Sequence, residues 1–111
     1  MNDRKLAKEL LIRCVDDNID SYRQLLEKLP REEAKDPYWI KLLDFYDRSN
    51  NEDKEFILGI MRQVSIDSVA SVLSIIDGSG YSETNEELTL LDGSGHQLQG
   101  CILDSFLEQC E

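Results

Sequence analysis

Apolar residues recur at steps of three and four along most of the chain, which is the spacing of helices with one buried face. The first such run covers residues 6–29 and predicts one long helix, or two helices with a break near residues 16–18. Pro30 ends this run, because proline cannot donate a helical hydrogen bond and disfavours the α conformation in the residue before it.

A short aromatic helix is predicted next. Asp36 and Pro37 are a helix-start signal, since Asp is a good N-cap acceptor and proline fits the first helical position. The helix carries the only tryptophan, Trp39, and two of the four tyrosines, Tyr38 and Tyr46. Large aromatic side chains favour core packing, and the same cluster is also suited to anchoring a partner.

The third predicted helix is the longest. Ser49 and Glu52 match a capping box, and Asp77-Gly78 supplies a glycine for a left-handed C-cap. Between these signals the apolar side chains cover most of the helix circumference, so we predict that this is the most buried helix of the fold.

The sequence from residue 78 onward differs in composition from the predicted helices. Glycine, serine, asparagine and threonine cluster in residues 78–87 and predict a loop. Residues 88–91 and 96–98 flank an Asp-Gly-Ser-Gly turn and predict a small β-hairpin, and residues 102–110 have helical spacing again. The expected fold is mainly α: one domain over residues 1–111, a small helical bundle around a central buried helix, with a short β-hairpin near the C-terminus.

Charged residues are distributed unevenly along the chain. Residues 1–62 carry all twelve Lys and Arg together with fourteen acids, whereas residues 63–111 carry nine acids and no Lys or Arg, so most of the net charge of −11 lies there. Such a field repels nucleic acid and anionic membranes and speeds encounter with a basic protein. The acids predicted to meet that partner are Glu83, Glu86, Glu87, Asp92 and Glu108. The alternative is that the acids only keep the protein soluble.

A stripe of polar residues runs along one side of the third predicted helix. Gln63, Asp67, Ser71 and Ser74 follow one another at steps of four, four and three and so share one side of the helix. One interpretation is the wet strip of a central helix, or small serines that let neighbouring helices approach. The other is a polar groove in which desolvation raises the pKa of Asp67.

Recognisable catalytic, metal and cofactor motifs are missing from the sequence. The two Asp-Gly-Ser-Gly turns lack the ligand ladder of a calcium loop and the lysine of a phosphate loop. His96 is the only histidine, so an enzyme would have to use His96 or Asp67 without a known motif around them. We therefore predict no catalytic residues, no metal site and no cofactor.

Three cysteines are a poor disulfide framework, and the chain opens on charged amphipathic sequence without a signal-peptide core. Both features favour a reducing cytoplasm. The most apolar stretch, residues 64–76, contains an aspartate and four serines and falls short of the roughly twenty apolar residues of a membrane span. We expect a cytoplasmic protein that does not enter the membrane, as a monomer or homodimer.

The order of elements resembles that of small acidic bacterial proteins of unassigned activity. The similarity lies in a capped helix like residues 49–78, then a short β segment, then an ending like LQGCILDSFLE at residues 98–108. In size, acidity and lack of catalytic motifs the chain is also similar to immunity proteins of bacterial toxin systems. We predict a non-catalytic acidic module that binds a basic protein. The alternatives are a helical homo-oligomer with a structural or regulatory role, and an enzyme.

Overall fold

The computed structural model describes residues 2–78, 88–98 and 102–111, and these residues are mainly helical. A π-helical segment (Leu11–Asp16) joins the first two helices, and a 3-10 turn (Arg31–Glu33) precedes the third. The α-helices are α1 (Asp3–Leu10), α2 (Asp17–Lys28), α3 (Pro37–Arg48), α4 (Asn51–Asp77) and α5 (Ile102–Cys110).

Two long helical segments run antiparallel and form the frame of the molecule. Residues 3–28 are helical without interruption, and α4 is of similar length, about 40 Å at 1.5 Å per residue. Their direction is visible in two ion pairs, because Arg23 pairs with Glu55 while Asp16 pairs with Arg62 further along. The molecule is accordingly elongated, 50 × 28 × 25 Å.

The predicted break near residues 16–18 is a change of helix type rather than an interruption. The wide π turn at Leu11–Asp16 alters the backbone pairing, and the side-chain amide of Asn18 donates to the carbonyl of Cys14 at 2.9 Å. The predicted end at Pro30 is confirmed, since α2 ends at Lys28.

The caps of α3 and α4 follow the sequence signals with one correction. The Asp36 side chain accepts from the backbone N–H of Tyr38 at 2.8 Å, and Gly78 has the left-handed φ of 71° that closes α4. The predicted capping box at Ser49 is wrong. Asn50 is the N-cap and accepts from Asp53 N–H, while the Ser49 hydroxyl donates to the Phe45 carbonyl.

Two separate cores lie at opposite ends of α4. The aromatic core consists of Leu26, Leu43, Tyr46 and Leu58, from α2, α3 and α4. The C-terminal core consists of Ala7, Val15, Leu73, Leu98, Ile102 and Phe106, in which α1 and α5 pack against the far half of α4.

The prediction that α4 is a central, most buried helix is wrong. Only Leu58 and Leu73 of its 27 residues are buried. The physical reason is that few elements surround α4: α2 and α3 contribute to the core near its start, the π-helical segment and α5 contact it near its end, and no element described covers its remaining sides.

Two hydrogen bonds join α5 to the antiparallel helical segments. The backbone N–H of Leu103 donates to the Asp77 carboxylate at 3.0 Å, and the Ser105 hydroxyl donates to Asp3 at 3.2 Å. The predicted hairpin is not shown. Among residues 88–98 there is a single antiparallel bridge between Leu91 and Gln97, without an extended strand.

Candidate functional site

The described residues form an open apolar groove. It has a volume of about 490 Å³ and lies between α2, α3 and the first half of α4. We call this the apolar groove. Its lining residues are Tyr22, Leu26, Tyr38, Trp39, Leu42, Tyr46, Ile57, Ile60, Met61, Val64 and Ser65.

The mouth of the groove is positioned by the start of α3. The Asp36 cap fixes the first turn, which places Tyr38 and Trp39 side by side with ring centroids 6.2 Å apart in an edge-to-face arrangement. Tyr38 is exposed and Trp39 is half-buried. The only tryptophan therefore reports directly on what enters the groove.

Two polar groups of the groove lining are hydrogen-bonded within the protein. The Tyr46 hydroxyl donates to Glu27 at 3.2 Å, and burial, with the Glu27 carboxylate beside it, raises the pKa of Tyr46. The Ser65 hydroxyl donates to the Met61 carbonyl at 2.9 Å. These groups maintain the groove rather than being available to orient a polar ligand.

Charged residues nearby pair with one another. Arg23 donates two hydrogen bonds to Glu55, at 2.7 and 3.1 Å, and these bonds hold the pKa of Glu55 below its usual value. The Lys54 ammonium lies 4.9 Å from the centre of the Tyr46 ring. The groove thus lies in a region of balanced charge.

A ridge of exposed apolar side chains borders the groove. Phe56, Ile60 and Val64 follow one another at steps of four on α4 and are 66%, 61% and 56% exposed. Ile60 and Val64 also line the groove. Phe56 lines a smaller neighbouring hollow together with Phe45 and Ile57. We call these three residues the α4 ridge.

The stripe predicted as a possible polar groove is an exposed surface strip. Gln63, Asp67 and Ser71 are exposed and Ser74 is half-exposed. Within the strip, the Gln63 amide donates to Asp67 at 2.9 Å and the Ser74 hydroxyl donates to the Ser71 carbonyl. Asp67 is therefore in contact with water rather than desolvated, which agrees with the alternative interpretation of a wet strip.

The acids predicted to meet a basic partner fall into three groups. Glu83, Glu86 and Glu87 lie outside the described residues. The side chain of Asp92 is only 8% exposed. Glu108 is exposed on α5.

Asp92 is part of the turn in which it stands. Its carboxylate accepts from the backbone N–H groups of His96 and Ser94, each at 2.9 Å, and these bonds lower the pKa of Asp92. Asp92 shapes its own loop, so its carboxylate is not displayed to a partner.

The side chains considered for catalysis lie apart from any cavity described above. His96 is 79% exposed, with Nδ1 3.5 Å from Asp92, and Asp67 is on the exposed strip of α4. No group of three or more metal-type ligands occurs within residues 2–78, 88–98 and 102–111. Cys14 and Cys110 are half-buried free thiols, and burial raises the pKa of Cys110.

α4 is also long and apolar enough to cross a membrane by length and composition. Its most apolar window has a mean hydropathy of 1.4, and 11% of that window is buried. The core helix of a soluble protein meets the same criterion. This result and the exposed ridge have the same origin, an apolar helix whose sides are incompletely covered.

The sequence predicts the aromatic residues of α3 as core or as an anchor for a partner, but it does not predict the groove that they form with α4. The α4 residues of the groove are predicted as core because the apolar positions of α4 surround the helix axis. That same pattern is the signal that identifies the groove, because a helix apolar on all sides needs covering on all sides. The elements within the described residues cover α4 only in part.

Comparisons with protein-family models, with curated proteins and with solved structures found no match to the chain.

Proposed function

We propose that the chain is a non-catalytic protein-binding module and that the apolar groove receives an apolar helix of a protein partner. The observation that carries the proposal is the exposure of Tyr38, Ile60 and Val64 around a groove whose lining side chains are almost all apolar or aromatic. Contiguous exposed apolar surface on a soluble protein is typical of interaction sites.

A helix suits the groove better than a small ligand does. Small-molecule sites combine an apolar lining with a few polar groups that orient the ligand. Here the hydroxyls of Tyr46 and Ser65 are occupied internally, and the groove is open along one side. Amphipathic helices bind such grooves by inserting side chains spaced by three and four.

Trp39 emission provides the test. The probe is a synthetic amphipathic helical peptide with leucines spaced by three and four, titrated into dilute protein. We expect a saturable change in Trp39 emission, because the ring lines the groove.

Two matched variants locate the binding. Val64→Asp places a carboxylate in the groove and should abolish the response, since an unpaired charge is costly to desolvate. Val72→Asp, at an equally exposed position of α4 outside the groove, should leave it intact, because both side chains are 56% exposed. An equal loss in both variants, or no response in the wild type, would contradict the proposal.

A second candidate function is supported by the surface of α5. Asp104 and Glu108 are exposed four residues apart on one side of α5, with exposed Leu107 beside them, and exposed Glu111 directly follows the end of the helix. Residues 63–111 contain no Lys or Arg, and the α1 helix, which packs against α5, carries the bases Arg4, Lys5 and Lys8. We propose that this face steers a basic cytoplasmic protein, in the manner of an immunity protein meeting its toxin.

Salt and charge removal test the second candidate. With polylysine as the basic probe, Glu108→Gln with Glu111→Gln should slow association, and the effect should fall as salt is raised. Glu32→Gln with Glu33→Gln removes the same charge from an exposed part of residues 1–62 and serves as the control. Equal slowing by both pairs would indicate only net charge, and no slowing would exclude steering by this face.

A further inference from the structure

The exposed apolar surface of α4 indicates that another surface packs against this helix. A helix that is apolar all round is normally buried on every side. Among the residues of α4, only Leu58 and Leu73 are buried, and the α4 ridge faces solvent. What covers the ridge must present an apolar surface of comparable length.

Surface area indicates how much covering is required. The whole chain exposes 7979 Å². A compact monomer of 12.8 kDa exposes about 6,300 Å², so the excess is roughly 1,700 Å². A stable interface covers about 800 Å² on each partner. Because the total covers the whole chain, including thirteen residues outside the described ranges, the excess is an upper bound on the area left to cover.

Charge distinguishes among the candidate occupants. The residues lining the groove fall between Tyr22 and Ser65, almost wholly within the part of the chain that carries twelve bases and fourteen acids. Two identical surfaces of this kind meet without strong repulsion. A basic partner, by contrast, gains little here, because the uncompensated acids lie in residues 63–111.

The α4 ridge lies directly beside the apolar groove. Side chains at steps of four form a ridge that packs into the groove between ridges of another helix. Because Ile60 and Val64 belong to both the ridge and the groove lining, a two-fold axis beside α4 places each ridge against the other copy's groove.

We propose that the occupant of the apolar groove is a second copy of this chain, with the α4 ridge of each copy seated in the groove of the other. This inference rests on the groove being a protein-binding site. A lipid bilayer is a poorer occupant, because Arg62, paired with Asp16, and Asp67 lie near the middle of α4 and are costly at bilayer depth.

Sedimentation equilibrium of the full chain is the test. The wild type should sediment at twice 12.8 kDa at both low and high salt, because an apolar interface is not screened. Val64→Asp should weaken the dimer by about a hundredfold or more, since a two-fold interface desolvates the carboxylate twice. Val72→Asp should remain dimeric. Tyr22→Glu, on the α2 wall of the groove, repeats the test at a second exposed position.

The outcomes separate this inference from the proposed function. A monomeric wild type at every concentration overturns the dimer, and so does a dimer that survives Val64→Asp and Tyr22→Glu while circular dichroism shows both variants folded. If the monomer still binds the leucine peptide at Trp39, the groove keeps its proposed function. If monomer instead floats with phosphatidylcholine vesicles and Val64→Asp does not, the occupant is a bilayer and the dimer is wrong.

Discussion

Replacing Leu73 tests whether the C-terminal core is placed correctly. Leu73 is buried, 4% exposed, and belongs to one cluster with Val15, Ile102 and Phe106. Removing a buried leucine side chain to alanine costs about 2–5 kcal/mol, and an unpaired buried carboxylate costs several kcal/mol more. Domains of this size have roughly 5–15 kcal/mol of stability in total. Leu73→Asp should therefore unfold the cluster, and Leu73→Ala should remain folded with lower stability.

The assay is thermal melting followed by far-ultraviolet circular dichroism. At about 4 °C per kcal/mol, Leu73→Ala should lower the melting temperature by roughly 8–20 °C. The adjacent Val72→Asp is the control, because Val72 is 56% exposed and surface substitutions usually change stability by about 0.5 kcal/mol or less. Wild-type melting of Leu73→Asp, or an equal loss in Val72→Asp, would refute the placement of this core.

Trp39 emission extends the same experiment to the other core. Trp39 packs against the aromatic core, far from Leu73 along α4. Because residues 3–28 and α4 are each continuous helices that contribute to both cores, we expect emission and circular dichroism to change at the same temperature in Leu73→Ala. Separate transitions would show that the two cores unfold independently.

Three further predictions concern caps and charges. Asn50→Ala should cost about 1 kcal/mol in a denaturant melt, and Ser49→Ala should cost less, since Asn50 caps α4. Arg31→Met should cost about 1–2 kcal/mol by the same measurement, because it removes bonds to Asp47 and to two carbonyls at the end of α2, in a partly exposed setting. The pKa of Asp92 is lowered in the fold, so its contribution to stability is present above about pH 4 and is lost as the pH falls through the lowered value; proton titration by NMR should find it below other aspartates, and a normal value would contradict the turn geometry.

Local signals in the sequence predicted the helices well. Pro30, the Asp36-Pro37 pair and Gly78 act through the backbone of their own or neighbouring residues, so their effects survive whatever the tertiary structure is. The cap of α4 was misplaced by one residue because Ser49 and Asn50 are both good N-caps. The choice between them depends on where the end of α3 directs the chain.

Burial was predicted less well, because it depends on the lengths and positions of several elements together. The periodicity of α4 shows which of its residues avoid water and not whether the chain has enough helix to cover them. The polar stripe at Gln63 and Asp67 marked one side of α4 as wet, and the ridge at Ile60 lies next to it. The groove follows from the arrangement around the first half of α4, where α2 and the 12-residue α3 border it and no described element closes its open side.

The acids show a similar dependence on tertiary structure. In the sequence, Asp77, Asp92 and Glu108 contribute equally to the negative field of residues 63–111. In the fold, Asp77 accepts from the N-terminus of α5 and Asp92 accepts from its own turn, whereas Glu108 faces solvent. The number of acids in the sequence therefore overstates the number of carboxylates exposed to direct contact with a partner.

The groove and the acidic face of α5 are compatible as two surfaces of one protein. Pairing through the charge-balanced groove leaves Asp104, Glu108 and Glu111 of both copies outside the proposed interface. The dimer then carries twice the net charge of −11, which strengthens steering of a basic partner and offers it two sites. Salt separates the two interactions, because it should weaken the encounter with the basic partner while leaving the apolar dimer in place. A dimer that dissociates at high salt would mean that charged residues, not the α4 ridge, hold the copies together.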